Sequence, residues 1–336
     1  GVMGGDIAAW CAMQGIKVTL QDQDMQVIAR AIKRAAALFQ KKLREPRLVQ
    51  AALDRLTPDL AGLGIAQADM VLEAIVENLE IKQSLYQNIE PKMKQGAVLA
   101  TNTSGIPMDD LATVLAVPER LVGIHFFNPV AKMKLVETIA GQKTAKETLD
   151  IAHSFVTQIR KLPLPVKSSP GFLVNRILMP YLMEAVKMVD EGKQPECIDK
   201  AATDFGMPMG PIALADTVGL DICLAVAQDL VDVTGDKVPE FLQTWIEQGR
   251  LGIKSGQGFY RYNKGKTIMN KANVSSKEQQ DITDRLITRI VDEAKRCLDE
   301  GVVADADLLD AGMVFGTGFA PFRGGVMKYA ADEGKL

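Results

Sequence analysis

The chain has 336 residues, enough for roughly two domains at about 150 residues each. Hydrophobic residues make up 47% and charged residues 24%, which is the composition of an ordinary globular protein that can bury a core. The formal net charge is −3, and this near balance argues against a dedicated nucleic-acid-binding protein, which would carry a basic stripe. No apolar run approaches about 18 residues, so the sequence predicts no membrane span.

The cysteines and the first residues indicate the cellular setting. The four cysteines are widely spaced and form no C-x-x-C pair, so neither a metal site nor a disulfide framework is predicted: Cys11, Cys197, Cys223 and Cys297. We expect a reducing intracellular setting, taken as cytoplasmic, with an organelle left open. No signal peptide is recognisable. The chain lacks an initiator Met and starts within a glycine pattern, so we expect a fragment or trimmed chain.

The first half alternates short apolar runs with patterns of helical period. The runs predict strands at residues 17–22, 70–76, 97–101, 121–126 and 135–139, and the patterns predict helices at 24–42 and 78–93. Strands that alternate with helices predict a parallel, doubly wound sheet, hence a Rossmann-like α/β domain buried on both faces. Because the glycine turn stands at the very start, we expect the first strand of this domain to be truncated.

The pattern changes after Lys161. Residues 162–166 form a last extended segment, residues 168–171 are typical of a linker, and the remainder is mostly helical. We therefore predict an α/β domain over residues 1–168, followed by an all-α domain. This second domain comprises one helical module at 169–262 and a second, degenerate module at 280–336.

An internal repeat supports the two helical modules. Arg176 is followed by Glu184-Ala185 and then by Asp190-Glu191-Gly192, and the same types recur 109 residues later at Arg285, Glu293-Ala294 and Asp299-Glu300-Gly301. With one inserted residue, residues 206–211 then align with residues 316–321. Two related modules that share a buried core are the interpretation we favour.

A nucleotide site is predicted at the start of the chain. Gly1 and Gly4 match the back half of G-x-G-x-x-G, and a helical pattern over residues 6–14 follows. The next strand ends in Asp22, 21 residues after Gly1, which is the spacing between a phosphate-binding turn and the acid that binds an adenosine ribose. A carboxylate there would repel a 2′-phosphate, so NAD is favoured over NADP. The alternative is that Asp22 only ends a strand.

The chain has two histidines. His153 lies in an amphipathic helical run and is expected at the surface or at a boundary. His125 ends a predicted strand, where the cofactor crevice of this fold lies. Glu137 follows twelve residues later in the next strand and could hold the far imidazole nitrogen, which fixes the tautomer for acid–base chemistry. The alternative is a satisfied core histidine.

Two polar positions are further candidates. Ser104 belongs to a polar loop, residues 101–105, directly after another strand, and a self-capped turn is the competing interpretation. Asn175 lies within an apolar helical stretch, where a polar side chain usually has a partner. That partner is either structural or substrate.

These motifs together resemble the L-3-hydroxyacyl-CoA dehydrogenase family. The matching segments run in order through nearly the whole chain, at residues 73–78, 101–104, 125–130, 134–137, 170–176, 208–211 and 256–260. The second helical module is similar to the form found in multifunctional fatty-acid oxidation enzymes of the alpha-subunit type. In those enzymes the dehydrogenase part follows an enoyl-CoA hydratase region.

The resemblance implies a reaction and a set of residues. The reaction is NAD-dependent oxidation of L-3-hydroxyacyl-CoA to 3-ketoacyl-CoA in fatty-acid β-oxidation. His125 is then the general acid–base, Glu137 orients it, and Ser104 and Asn175 position the substrate. The implied NAD contacts are Met3, Asp22, Glu77, Lys82, Ser104, Asn128 and Lys254, beside the turn at Gly1 and Gly4. Lys82 and Lys254 are expected to meet phosphate or ribose oxygens of the cofactor.

The resemblance also implies an acyl-CoA substrate and either a homodimer or assembly with a thiolase subunit in a β-oxidation complex. Two other functions stay open. One is a short-chain 3-hydroxybutyryl-CoA dehydrogenase, and the other is a non-catalytic structural relative that keeps the nucleotide site. The presence of His125, Glu137, Ser104 and Asn175 counts against the second.

Overall fold

The computed structural model describes residues 1–235, 238–263, 265–268, 272 and 274–335. The chain divides into two units, Gly1–Ser168 and Ser169–Leu336. Part of the polar stretch between the two predicted helical modules, residues 263–280, lies outside the described residues.

The first unit is a Rossmann-like domain whose strands form two sheets. Strands β1 (Val18–Leu20) and β2 (Leu56–Pro58) pair in parallel as a two-stranded sheet. The larger sheet has the order β3-β4-β5-β6-β7, and its strands are Met70–Glu73, Val98–Thr101, Leu121–Phe126, Leu135–Ala140 and Leu162–Lys167. Five of the seven strands lie within one or two residues of their predicted positions, β3 stops three residues early, and β2 was not predicted.

The predicted parallel, doubly wound sheet is confirmed for its central strands, and the structure adds an antiparallel pairing at one side. Strands β3, β4 and β5 run parallel, but β6 pairs antiparallel with β5. The cause is the connection at residues 127–134, because a parallel crossover needs about a dozen residues or more. Strand β7 is parallel to β6, so it also runs against the first three strands.

Six α-helices accompany these strands. Their bounds are α1 Val2–Met13, α2 Met25–Leu43, α3 Pro46–Asp54, α4 Leu79–Ile89, α5 Met108–Ala112 and α6 Lys146–Gln158. Asp24 and Asn78 cap α2 and α4, because their side-chain oxygens accept backbone N–H groups at 2.8 and 3.0 Å. Helix α1 starts earlier than the predicted pattern. It packs closely on α2, since a Cβ placed on Gly5 would lie 2.7 Å from the Cβ of Ala31.

The core of the first unit lies on the larger sheet. Alternate residues of β4 and β5 point to one side, where they pack with α1 and α6, as the two-residue period of a strand dictates. A second cluster joins α1 to α2, α3 and β2. Burial on both sides of α1 explains why this helix is apolar around its whole circumference.

The second unit is helical. Its helices are α7 Val174–Asp190, α8 Pro195–Phe205, α9 Pro211–Val218, α10 Leu220–Thr234, α11 Glu240–Glu247, α12 Ser276–Asp299, α13 Ala306–Thr317 and α14 Val326–Asp332. A short hairpin pairs β8 (Arg261–Asn263) with β9 (Lys266–Ile268). Within the described ranges no single helix could cross a membrane, and only α9 with α10, bent by 101°, would pass jointly on length and composition.

The repeat appears in the second unit as exchanged ion pairs. Arg176 on α7 donates to Glu293 at 2.8 Å and to Glu300 at 2.6 and 2.8 Å. In the reciprocal position, Arg285 on α12 donates to Glu184 at 2.8 Å and to Glu191 Oε2 at 2.7 Å. Each arginine therefore binds the glutamates of the other module. This reciprocity is typical of an isologous interface between two copies.

A second correspondence follows α8 and α13. Asp199 on α8 accepts two backbone N–H groups from the start of α9, and Asp310 on α13 does the same for α14. Each aspartate also abuts a glycine, since a Cβ on Gly210 or on Gly325 would lie 2.2 Å from the respective carboxyl carbon. The two helix pairs are thus built alike.

This correspondence corrects the predicted loop alignment. Residues 206–211 were matched with residues 316–321, but the aspartate contacts pair Gly210 with Gly325. The reason is the 3₁₀ turn Pro321–Arg323 between α13 and α14, which has no counterpart at residues 206–210 between α8 and α9. The repeat offset therefore grows along the modules, and glycine and proline matches alone are a poor guide to register.

Candidate functional site

His125 and Glu137 form a buried pair. The antiparallel register sets them directly opposite each other on β5 and β6, so both side chains leave the sheet on the same face. His125 Nδ1 lies 2.7 Å from Glu137 Oε2, and the two side chains are 7% and 0% exposed. A carboxylate at this place accepts the Nδ1 proton, which makes Nε2 the ring nitrogen that can exchange a proton.

The pair lies at the edge of the sheet where β3, β4 and β5 end. Loops that follow parallel strands meet at one edge, which is where this fold binds ligands. Asn102 holds two of these loops together, because its Oδ1 accepts the backbone N–H of Phe126 at 2.8 Å and its own N–H reaches the carbonyl of Glu73 at 2.8 Å. Glu137 reaches the same edge because β6 runs in the opposite direction.

Ser104 and Glu77 come together at this edge. Glu77 Oε1 accepts the backbone N–H of Ser104 at 2.7 Å and its hydroxyl at 3.1 Å. Thr103 donates to the same oxygen at 2.6 Å. Burial raises the pKa of Glu77, but the hydrogen bond from Thr103 and the charge of Lys82 outweigh it and hold the pKa below its ordinary value. Glu77 is therefore an ionised acceptor that fixes the Ser104 loop.

Lys82, a predicted cofactor contact, lies buried beside two carboxylates. Its side chain is only 1% exposed, and its Nζ lies 2.7 Å from Glu73 Oε1 and 3.4 Å from Glu77 Oε2. An ammonium buried this deeply needs close carboxylates to offset its lost hydration. Lys82 thus forms ion pairs with two glutamates, Glu73 and Glu77.

The N-terminus of α1 lies beside the predicted ribose acid. Gly1 is the cap residue of α1, and no side chain caps this end, so the first N–H groups are the kind that bind anions. The amino group of Gly1 donates to Asp22 Oδ2 at 2.6 Å. Gly4 faces the loop after β3, where a Cβ on it would lie in contact with that of Ala74 at 3.4 Å. Met3 lies between them in the first turn and is partly buried.

Asn128 lies in the exposed loop that follows His125. The peptide bond between Asn128 and Pro129 is cis. The ring of Phe127 lies 4.6 Å from the imidazole of His125, centroid to centroid. Below this loop, Lys161 Nζ donates to the carbonyl of Met133 at 2.6 Å and to that of Val130. The loop is therefore anchored at its far end.

Two predicted site residues belong to the second unit. Asn175 lies in the first turn of α7 and is half-buried. Lys254 Nζ lies 2.5 and 2.6 Å from the two carboxylate oxygens of Asp221, and this pair is partly exposed. The glycine-rich segment after Lys254 is held by Asp216, which accepts the backbone N–H groups of Phe259 and Tyr260.

Sequence reasoning missed the buried half of the site. Glu73 accepts hydrogen bonds from Lys82, Tyr86 and Thr101, and Asn102 ties the loops together. One signal was present in the sequence. Glu73 interrupts the apolar run at residues 70–76, and a charged residue in a buried strand requires partners.

Comparison with family models covers most of the chain. Residues 1–169 match the model described as the 3-hydroxyacyl-CoA dehydrogenase NAD-binding domain. Residues 171–262 match the C-terminal domain of the same family. Both models together extend over more than half of the chain.

Curated relatives carry a common name. A fatty acid oxidation complex subunit alpha from Pseudomonas putida is 36% identical over 99% of this chain and 50% of its own length. The corresponding protein of Shewanella amazonensis is 34% identical over 98% and 49%. The chain spans about half the length of the curated relatives that it matches.

Solved structures of dehydrogenases share the fold. A 3-hydroxybutyryl-CoA dehydrogenase from Escherichia coli has a TM-score of 0.88 and 26% identity, with coverage of 99% of this chain and 89% of that one. An (S)-3-hydroxybutyryl-CoA dehydrogenase from Ralstonia eutropha has a TM-score of 0.74 and 35% identity, with coverage of 79% and 96%. The dehydrogenase part of a multifunctional enzyme from C. elegans has a TM-score of 0.66 and 27% identity, with coverage of 94% and 76%.

Proposed function

The chain belongs to the 3-hydroxyacyl-CoA dehydrogenase family, and on that premise we propose that it interconverts L-3-hydroxyacyl-CoA and 3-ketoacyl-CoA with NAD as cofactor. The observation that carries this proposal is the buried pair of His125 and Glu137, joined at 2.7 Å. Oxidation of a secondary alcohol needs a base for the hydroxyl proton, and an oriented imidazole meets that need near neutral pH.

His125 and Glu137 have separate tasks in this reaction. His125 Nε2 takes the proton of the 3-hydroxyl group during oxidation and returns it during reduction. Glu137 keeps the Nδ1 proton in place and stabilises the imidazolium that forms. Ser104 and Asn175 orient the 3-oxygen and the thioester carbonyl. Bound NAD⁺ supplies the acceptor for the hydride that leaves C3.

The start of the first unit fits the cofactor. The uncapped N-terminus of α1 offers backbone N–H groups and a favourable helix dipole to a pyrophosphate. Asp22 stands beside that terminus and can accept the hydroxyl groups of an adenosine ribose. Glu77 and Ser104 provide polar groups at the sheet edge. Asn128 and Lys254 are the remaining cofactor residues of the proposal, beside Gly1, Met3 and Gly4.

A direct assay tests the proposal. Purified chain is mixed with acetoacetyl-CoA and NADH, and absorbance at the NADH band is followed. We expect turnover with the native chain and a loss of about 10²–10⁴-fold in kcat for His125→Gln, the range for losing a general acid–base. A native chain that binds NADH but gives no turnover with any acyl-CoA would overturn the enzymatic proposal in favour of a binding role.

A short-chain preference is the second candidate. The Escherichia coli 3-hydroxybutyryl-CoA dehydrogenase matches 99% of this chain and the chain covers 89% of it, whereas only half of each curated alpha subunit is covered. Values of kcat/KM for C4, C10 and C16 substrates separate the two. A preference for C4 by tenfold or more supports the short-chain function, and the reverse order supports the fatty-acid oxidation function.

We further propose that the chain works as part of an assembly. Its curated relatives are named as alpha subunits of a complex. A thiolase-type subunit is the partner that would consume a 3-ketoacyl-CoA, and a homodimer is the alternative. Light scattering of the chain alone and with a candidate thiolase distinguishes these states, and a monomer under both conditions would reject them.

A further inference from the structure

A buried carboxylate without an assigned role lies under the candidate site. Glu73 ends β3 and is 3% exposed. It accepts hydrogen bonds from the backbone N–H of Ile75 and from Lys82 Nζ, both at 2.7 Å, and from the hydroxyls of Tyr86 and Thr101, both at 2.8 Å. These four donors come from α4, from β4 and from the loop after β3, so three separate segments fix the position of the carboxylate.

Lys82 connects Glu73 to a second carboxylate, that of Glu77. Its Nζ stands between two carboxylates, at 2.7 Å from Glu73 and 3.4 Å from Glu77. The ammonium is almost completely buried, so it remains compensated only as long as a carboxylate is close. If Glu73 lost its charge, the ammonium would be left with Glu77 as its ionic partner and would move toward it.

Glu77 connects this buried network to the Ser104 loop. Its Oε2 faces Lys82, and its Oε1 accepts the donors of Thr103 and Ser104. The two oxygens of Glu77 therefore interact with different groups, Oε2 with Lys82 and Oε1 with Thr103 and Ser104. A shift of Lys82 toward Glu77 would rotate or displace the Glu77 carboxylate. That movement changes the position of Oε1, which accepts hydrogen bonds from the Ser104 hydroxyl and backbone N–H.

We propose that Glu73 is a positioning residue that acts through Lys82 and Glu77 to set the place of Ser104. It touches neither substrate nor cofactor. The proposal rests on the proposed function in so far as Ser104 is the group that meets substrate and NAD. Residues held by a packed supporting network keep the sub-ångström placement that a reacting site requires.

The first test compares Glu73→Gln with a matched control. Gln keeps the shape of Glu73 and removes its charge. The control is Glu90→Gln, which changes another buried carboxylate of the same unit, one whose described hydrogen bonds come from the backbone N–H groups of Ala116 and Val117. We expect Glu73→Gln to lower kcat/KM by about tenfold and to weaken NADH binding, and Glu90→Gln to leave both within about twofold. Equal effects of the two variants would reduce Glu73 to a structural residue and overturn the proposal.

A double-mutant cycle with Ser104→Ala supplies a readout that a purely structural role does not move. If Glu73 acts through Ser104, Glu73→Gln costs about tenfold in the native background and less than about twofold when Ser104 is already Ala. The same factor in both backgrounds would overturn the proposal. Tyr86→Phe removes one donor and keeps the charge, so it replaces Glu73→Gln if that variant does not fold. It should show a smaller loss with the same dependence on Ser104.

NADH affinity separates this proposal from the proposed function. Fluorescence titration of NADH measures the cycle without any acyl-CoA. A chain that shows no turnover overturns the function, yet coupling between Glu73 and Ser104 in the NADH Kd would still support the positioning network. Conversely, if the chain shows turnover but Glu73→Gln changes the NADH Kd by the same factor with and without Ser104→Ala, the proposed function is supported and the positioning network is refuted.

Discussion

Replacing Glu137 by Gln tests how the imidazole is held. The carboxylate is fully buried and lies 2.7 Å from His125 Nδ1. A hydrogen bond to a charged group contributes about 1.5–3 kcal/mol, and at about 1.4 kcal/mol per tenfold this corresponds to a loss of roughly 10- to 150-fold in kcat. The amide can also present its NH₂ group to Nδ1, which moves the ring proton to Nε2 and removes the base needed for oxidation. In the reduction direction, the neutral amide no longer stabilises the imidazolium that donates the proton. We therefore expect a loss of at least about 100-fold.

The assay follows NADH oxidation with acetoacetyl-CoA and measures the NADH Kd in parallel. The Kd should stay within about threefold, because Glu137 acts on the imidazole and not on the cofactor. The double variant His125→Gln with Glu137→Gln should be no slower than His125→Gln alone, since the glutamate has no target once the ring is gone. Activity of Glu137→Gln within threefold of the native chain, or multiplied losses in the double variant, would refute the paired role.

Three further outcomes are expected. Asp22→Ala should lower the preference for NAD over NADP by at least about tenfold in kcat/KM, because the carboxylate that repels a 2′-phosphate is removed; an unchanged ratio means that Asp22 does not face the ribose. Arg285→Met should destabilise the chain by about 1–3 kcal/mol in urea unfolding, because two glutamates lose a charged donor, whereas Arg47→Met at an exposed pair should cost almost nothing. The hydrogen bond from Arg285 keeps the pKa of Glu191 below its ordinary value of 4.5. The stabilisation of the folded chain by this pair is therefore fully present above pH 4.5 and is lost as the pH falls below it, so Arg285→Met should flatten the dependence of unfolding free energy on pH in that range. Parallel pH profiles of the native chain and the variant would contradict this. Asp284→Ala should keep activity within about twofold, because Asp284 is partly exposed and bonds only to Gln280 and Lys335 among the described contacts.

The elements that were predicted are those whose own sequence determines them. The runs at residues 97–101 and 121–126 became β4 and β5, because continuous apolar residues suit strands buried on both faces. Strand β2 was not predicted because Leu56–Pro58 contains a proline and has only one buried side chain. The direction of β6 was also not predicted, because strand direction is set by the connecting loop and not by the strand's own residues.

In the candidate site, too, only some contacts could be predicted from the sequence. His125 and Glu137 could be paired from the sequence because two neighbouring strands bring residues of complementary chemistry to one edge. The partners of Lys82 could not be predicted in the same way. The sequence does not distinguish a buried lysine from an exposed one. The structure shows that the Lys82 ammonium on α4 is enclosed beside Glu73 on β3. Tyr86 and Thr101 reach Glu73 from different elements, which no spacing along the chain reveals.

The predicted duplication of the helical modules is supported most strongly at the residues that join them. Arg285, Glu293 and Glu300 repeat Arg176, Glu184 and Glu191, and all six take part in the exchanged ion pairs. The position that corresponds to Asn175 holds Asp284, so the proposed substrate residue is not repeated. The retained positions are therefore those that join the modules to each other. A second copy of this kind contributes burial of Arg176, which is 1% exposed, and no second substrate site is required to account for it.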